Sequence, residues 1–150
     1  MKALTVWQPW ATLIVLGLKK IETRRRKTRI RGRIAVHAAL RPPDPEIINA
    51  LMRMPGVADV LLEYFKYGFP LGEIVGNARL ADCCPIDELY DTRYATHKEM
   101  RLGDWTEGRF GWIMESPVLF DDPIPAAGRQ GFWNWEPGIP QIKPIPHESR

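Results

Sequence analysis

The chain has 150 residues, 21 Lys+Arg against 18 Asp+Glu, and a formal net charge of +3. That length suits one core, and 45% hydrophobic residues with six tryptophans exclude a disordered chain. The most apolar run, residues 11–16, falls far short of the ~20 residues of a membrane span. No secretory signal is expected. Because Cys83 and Cys84 are adjacent, no structural bridge or oxidising compartment is needed. A cytoplasmic location is the expectation.

Residues 3–7 read as a short strand. Gln8-Pro9-Trp10 opens a helix, with Pro9 near the first helical position, where its missing N–H costs nothing. The helix runs through 11–16, and Gly17 is a left-handed terminator. Residues 20–24 form a second strand, 28–32 a turn, and 33–38 a third strand with Ile34, Ala35 and Val36 inside. Asp44 caps a helix that begins at Pro45, and Ile47, Ile48, Leu51 and Met54 follow at helical spacing. Pro55-Gly56 interrupts it, and 57–65 resumes a helical pattern. Residues 72–82 predict a long strand with Gly76 as a bulge. The polar stretch 86–107 predicts short helices and loops. Two further strands, 109–115 and 118–124, are expected around Ser116-Pro117. In 131–135, Phe132 and Asn134 alternate with Trp133 and Trp135.

A body over 1–135 is followed by a tail over 136–150. Pro137, Pro140, Pro144 and Pro146 forbid a helix or a central strand there. The tail is expected either disordered or extended along the surface, where Ile139, Ile142 and Ile145 would line one edge of a polyproline helix. Strands scattered among helices, without regular alternation, disfavour a doubly wound parallel fold. The prediction is α+β, a small curved or closed β-barrel decorated by short helices.

The net charge hides an asymmetry. Residues 19–33 hold nine basic side chains and one acid, Glu22, so that window carries +8 and the remainder −5. Such a segment marks a surface that faces a polyanion, or else a solvated loop.

Three blocks in this region carry a family resemblance. Trp7-Gln8-Pro9-Trp10-Ala11, then Gly17 to Arg24, then Arg31-Gly32-Arg33-Ile34-Ala35-Val36-His37-Ala38 resemble the ASCH domain. The second block fits that family's G-x-K-x-x-E-x-R signature at Gly17, Lys19, Glu22 and Arg24. Gly111-Trp112, Pro123-Ile124-Pro125 and Gly128-Arg129-Gln130-Gly131-Phe132 are similar to its closing strands, so the resemblance runs over 3–135. It implies a barrel similar to the PUA domain, with a helix near its start and a cleft beside it. Family members are associated with RNA or other nucleic acid. Some resemble amidohydrolases that remove acyl groups from modified cytidine, and ribonuclease activity is ascribed to others. The acylcytidine-hydrolysing relatives use the signature lysine, a threonine three residues later and a distant glutamate. Here Lys19 matches, and Glu22 stands at the threonine position. Thr23, one residue off, is expected to face away, and Glu73 is the candidate for the distant carboxylate.

The candidate catalytic residues are therefore Lys19 and Glu22. In a strand over 20–24, Glu22 and Arg24 share a face. Glu22 would accept from an exocyclic amine, while Lys19 and Arg24 grip carbonyl or phosphate oxygens; the alternative is a structural ion pair. The candidate binding residues are Gln8, Trp10, Arg24, Arg25, Arg26, Lys27, Arg29 and Arg31. The five basic residues of 25–31 suit phosphates. Trp7 and Trp10 suit base stacking or core packing, and Gln8 either reads a base edge or ties down the corner. Arg33 is expected to have a local structural partner, and His37 to be a hydrogen-bonded core histidine. Three scattered histidines and no spaced cysteine pair give no zinc pattern, so no metal and no cofactor are implied. The expected partner is RNA or a modified nucleoside, with no membrane and the oligomeric state open. The enzyme alternative is a hydrolase of acylated cytidine nucleosides or a ribonuclease. A third class is an interaction module that uses the Pro/Ile tail.

Overall fold

A computed structural model describes residues 1–137. The expectation for the tail over 136–150 falls almost wholly outside them. In chain order the elements are β1 (Lys2–Val6), α1 (Trp10–Val15), β2 (Ile21–Arg24), β3 (Gly32–Ala38), α2 (Pro45–Met52), α3 (Leu62–Tyr67), β4 (Glu73–Pro85), a 3-10 turn (Ile86–Leu89), α4 (His97–Arg101), β5 (Phe110–Pro125) and β6 (Phe132–Asn134). The strands form one six-stranded sheet in the order β2-β5-β4-β3-β1-β6. β1 runs parallel to β3, and the other pairings are antiparallel.

The sheet curls into a half-barrel, and side chains across its hollow show the curvature. Trp112 on β5 stacks flat on Phe132 of β6, with ring centroids 5.5 Å apart, although three strands lie between them in the sheet. Inside the curl, Leu4, Val6, Ile34, Val36, Val75 and Trp112 pack against Ile14 and Val15 of α1. The alternate residues Ala3, Ala35 and Ile74 turn outward onto Trp133 and Trp135, which is the period of two that a half-buried strand requires. A third cluster fixes the helices: Leu13 of α1 packs with Leu51, Met54, Val57, Leu61 and Leu102.

Local signals in the sequence account for several boundaries. Gly17 leaves α1 at φ +77°, the left-handed conformation that glycine adopts without a Cβ penalty. Asp44 caps α2 by accepting from the Glu46 N–H. The ladder between β4 and β5 shifts register between Ile74 and Gly76, where the bulge was expected.

Two expectations are corrected. Residues 57–61 make hydrogen-bonded turns, and the helix covers only Leu62–Tyr67; Val57 and Leu61 are buried while their neighbours are exposed or half-buried. The strands expected on either side of Ser116-Pro117 are one continuous β5. Ser116 takes φ +48°, yet Glu115 and Val118 stay paired with Arg79 and Asn77, and a register shift absorbs the irregularity. Among the described residues, no helix is long and apolar enough to cross a membrane.

Candidate functional site

The turn after α1 sets up the site. The N–H groups of Leu18 and Lys19 both donate to the Leu13 carbonyl, so the chain reverses sharply and drives the Lys19 side chain inward. Lys19 is 2% exposed, unusual for a lysine. Its Nζ donates to the Ile21 carbonyl at 2.6 Å and to the Leu102 carbonyl at 2.5 Å, and it lies 5.4 Å from the centre of the Trp10 ring. Oε1 of Glu22 is 3.9 Å away. Burial pushes the Lys19 ammonium below the usual lysine range, against the opposing pull of the Glu22 and Glu99 carboxylates.

Glu22 is itself buried and holds Arg24, whose Nη2 donates to Oε2 at 3.1 Å. The same Nη2 reaches the Thr5 carbonyl at 3.2 Å, and the guanidinium lies over the Trp112 ring. Arg24 therefore ties the outermost strand β2 to β1 across the open side of the half-barrel. Thr23 also lines the cleft, contrary to the expectation that it faces away. Its Oγ1 accepts from the Asp104 N–H at 3.0 Å. Gly103 separates it from the lysine: a Cβ there would lie 3.1 Å from Nζ of Lys19 and 3.2 Å from Oγ1 of Thr23. The loop after α4 bends β2's strict alternation to this use by bringing its own backbone to Thr23.

These residues form the polar part of a cleft of ≈ 1430 Å³, larger than the ~300–1,000 Å³ of most small-molecule sites. One flank is apolar, with Ile47, Ala50, Leu51 and Met54 from α2 and the turn after it. The strap 126–131 supplies a further part of the lining. Beneath it lies His37, 3% exposed, whose Nε2 is 2.8 Å from the Ala126 carbonyl and whose Nδ1 is 3.1 Å from Thr5 Oγ1. A carbonyl only accepts, so Nε2 carries the proton and Nδ1 accepts from Thr5. The hydroxyl oxygen in turn accepts from Nε1 of Trp133. Burial holds His37 below the usual histidine range.

The fold brings Trp10, Lys19, Glu22 and Arg24 together at this cleft. It does not bring Gln8 there. That side chain is buried and donates to Thr12 Oγ1 and the Pro70 carbonyl while accepting from the Thr12 N–H, so it ties down the corner. Arg25, Arg26, Lys27, Arg29 and Arg31 occupy the exposed loop between β2 and β3, beside the cleft but outside its lining. Arg31 donates to the carbonyls of Thr28 and Ile30 and pairs with Asp82. Arg33 has its local partners, Asn77 and the Ser116 carbonyl. Glu73 is not among the lining residues.

Four charged contributors come from segments that carried no site signal: Arg101, Asp104, Arg109 and Arg129 line the cleft. A fifth, Glu99, lies just behind it. The sequence Thr96-x-x-Glu99 is a capping-box pattern, and Thr96 does cap α4 by accepting from the Glu99 N–H. The Glu99 carboxylate instead accepts from the N–H groups of Lys20 and Ile21 and anchors the start of β2. Burial raises its carboxyl above the usual range. Among the described residues, no group of three His, Cys, Asp or Glu is arranged to hold a metal ion.

A curled mixed half-barrel with a basic-rimmed cleft beside its first helix defines a PUA-like α+β domain. The ASCH domain family model matches residues 4–119, and the chain belongs to that family, a PUA-like fold family linked to RNA binding. Activating signal cointegrator 1 of Homo sapiens is 28% identical over 141 residues, covering 92% of this chain and 23% of the relative. The Mus musculus protein of the same name is 27% identical over the same extent. The chain thus spans about a quarter of the length of these curated relatives, 23% in each case. The crystal structure of ASCH from Zymomonas mobilis superimposes with a TM-score of 0.54 at 17% identity, covering 91% of this chain and 87% of that one. A mutant form of the same protein gives 0.53 at 15% identity, covering 91% and 90%.

Proposed function

We propose that the cleft receives a base or modified nucleoside of an RNA, with Lys19, Glu22 and Arg24 at its polar end and the 25–31 loop against the backbone. The observation that carries this reading is the convergence of Trp10, Lys19, Glu22 and Arg24 on one cleft directly beside the most basic segment of the chain. Glu22 is the hydrogen-bond acceptor for an exocyclic amine. The guanidinium of Arg24, its side chain 30% exposed, is the donor for carbonyl or phosphate oxygens. Lys19 acts by positioning: its Nζ is bonded to two carbonyls and supplies positive potential from behind Glu22. Arg25, Arg26, Lys27 and Arg29 make no side-chain hydrogen bond or ion pair among the described residues, which leaves them to phosphates. A cytoplasmic setting belongs to the same reading and suits the unpaired thiols of Cys83 and Cys84.

The test is an anisotropy titration of labelled single-stranded RNA at stepped salt concentrations. The expected slope of log affinity against log salt is about 0.7 per phosphate neutralised. Glu22→Gln and Arg24→Ala are expected to weaken binding. No binding at low salt, or binding by both variants equal to that of the wild type, would sink the proposal.

A hydrolytic reading has one observation in its favour, the placement of the Thr23 hydroxyl across Gly103 from Lys19 with Glu22 alongside. A lysine of lowered pKa, a hydroxyl and a carboxylate are the groups of a metal-independent amidohydrolase. Purified protein incubated with N-acylated cytidine and with RNA tests it, with Thr23→Val as the comparison. No turnover of either substrate ends this reading.

A further inference from the structure

Five of the six tryptophans are buried or half-buried; Trp7 is 56% exposed. It stands on the rim of the cleft and donates to no protein acceptor among the described residues. A lone exposed apolar ring is ordinary by itself; what singles out Trp7 is its place on the cleft rim with a guanidinium against one face. Its position is also held. β1 and β3 are parallel neighbours with Val6 opposite Ala38, and the Ala39 N–H donates to the Val6 carbonyl. The segments that leave the two strands therefore emerge side by side. That geometry brings Arg41 onto Trp7, with the guanidinium carbon 3.9 Å from the ring centre.

From this arrangement we propose a second nucleotide subsite, in which a base stacks on Trp7 and the adjoining phosphate sits at Arg41. The inference rests on the reading of the cleft as an RNA site and extends it: the ligand is a single strand of at least two nucleotides, not a lone nucleoside. Two features favour a nucleotide over an apolar partner, and a third allows for its length. A guanidinium covers one face of the indole, which leaves a flat ring with a cation at its back, the combination that suits a base joined to a phosphate. Further positive charge lines the same cleft at Arg101, Arg109 and Arg129. The cleft volume of ≈ 1430 Å³ also leaves room beyond what the Lys19–Glu22–Arg24 end occupies. Stacking on an indole tolerates any base, so this subsite adds affinity and strand direction without reading sequence.

The experiment compares wild type with Trp7→Ala, Trp7→Phe and Arg41→Ala in anisotropy titrations of a labelled single-stranded RNA decamer. Both side chains lie at the surface, and circular dichroism verifies folding of each variant. Trp7→Ala is expected to weaken binding by about tenfold or more, and Trp7→Phe to recover most of the loss. Arg41→Ala is expected to lower the salt slope by about 0.7. Affinity of Trp7→Ala within twofold of wild type, while Arg24→Ala weakens binding, overturns the subsite and leaves the cleft reading standing. Equal losses for Trp7→Phe and Trp7→Ala overturn stacking as its basis. A wild-type protein that binds no RNA overturns both.

Discussion

The Nζ of Lys19 lies 3.9 Å from Oε1 of Glu22, and both groups are almost wholly withdrawn from water. Two opposite charges in that position attract each other, but each has lost its hydration, so the pair stands only because other polar groups complete it. The carbonyls of Ile21 and Leu102 complete the ammonium, and Arg24 completes the carboxylate. Lys19→Met removes the cation and keeps most of the volume. It leaves two buried carbonyls without a donor and weakens the compensation of Glu22 and Glu99. A loss of about 3–5 kcal/mol is expected, as for other broken buried pairs. Urea unfolding followed by circular dichroism measures it; a loss below about 1 kcal/mol would show that water replaces the ammonium at little cost.

The loop between β2 and β3 predicts the opposite pattern. Arg25, Arg26, Lys27 and Arg29 are exposed, and among the described residues the one hydrogen bond they make with the rest of the fold is at the backbone carbonyl of Arg26, acceptor for Nε1 of Trp112. Replacing all four by Ala is expected to change stability by less than about 0.5 kcal/mol per site. The slope of log affinity for RNA against log salt is expected to fall by about 0.7 for each residue that meets a phosphate. Thermal melts and salt titrations on the same variant separate the two effects. An unchanged slope would remove this loop from the RNA path.

What was legible in the sequence follows from how locally each feature is encoded. Gly17, Asp44 and the bulge at Gly76 act within a few residues of themselves, and each performs the predicted role. The strand expected to break at Ser116-Pro117 continues because its flanks are held by β4, a partner that local sequence does not reveal. The signature residues Lys19, Glu22 and Arg24 meet at one cleft because a tight turn and a short strand carry all three. Arg101 and Arg109 flank the loop between α4 and β5, and Arg129 follows β5; nothing in their local sequence places them at the cleft that Lys19, Glu22 and Arg24 share. The basic run at 25–31 was visible as charge, but charge alone does not say whether a side chain points into a cleft or along its rim. Thr23 shows the limit of periodicity: alternation turns it away from Glu22, yet the 102–104 loop folds back to it and makes that second side part of the site.

Gly76 on β4 leaves no room for a side chain between β5 and α1. A Cβ at that position would overlap the carbonyl oxygen of Val118 and press on Val15 of α1 at 2.9 Å. The obstacle is backbone, which cannot rotate aside as a long side chain can. Gly76→Ala is therefore expected to destabilise by about 1–3 kcal/mol through overpacking. A lower urea midpoint with an unchanged m-value would report it. A stability equal to wild type would mean that the register shift at Ile74 and Gly76 slides to make room.

His37 predicts the dependence of stability on pH. In the unfolded chain a histidine takes up its proton near pH ~6.5. In the folded protein burial resists that charge, against the weaker help of the Ala126 carbonyl. Nδ1 already accepts from Thr5 Oγ1, which itself accepts from Trp133, so a second ring proton requires the Thr5 hydroxyl to turn its own proton away and give up that bond. Between pH ~6.5 and the lower folded value the unfolded state binds more protons, and stability falls as the pH falls. Above that window the contribution is intact. For one proton the slope is bounded by about 1.4 kcal/mol per pH unit. Glu99 acts in the reverse sense, because its carboxyl is raised and regains a proton in the folded state first. The comparison must therefore be made against a variant that changes His37 alone. His37→Gln keeps a donor for Ala126 and does not titrate. It is expected to lower the melting temperature at pH 7.5 and to flatten the fall between pH 6.5 and 5. Parallel curves for the two proteins across that range would show that His37 keeps the same protonation in the folded and unfolded chains.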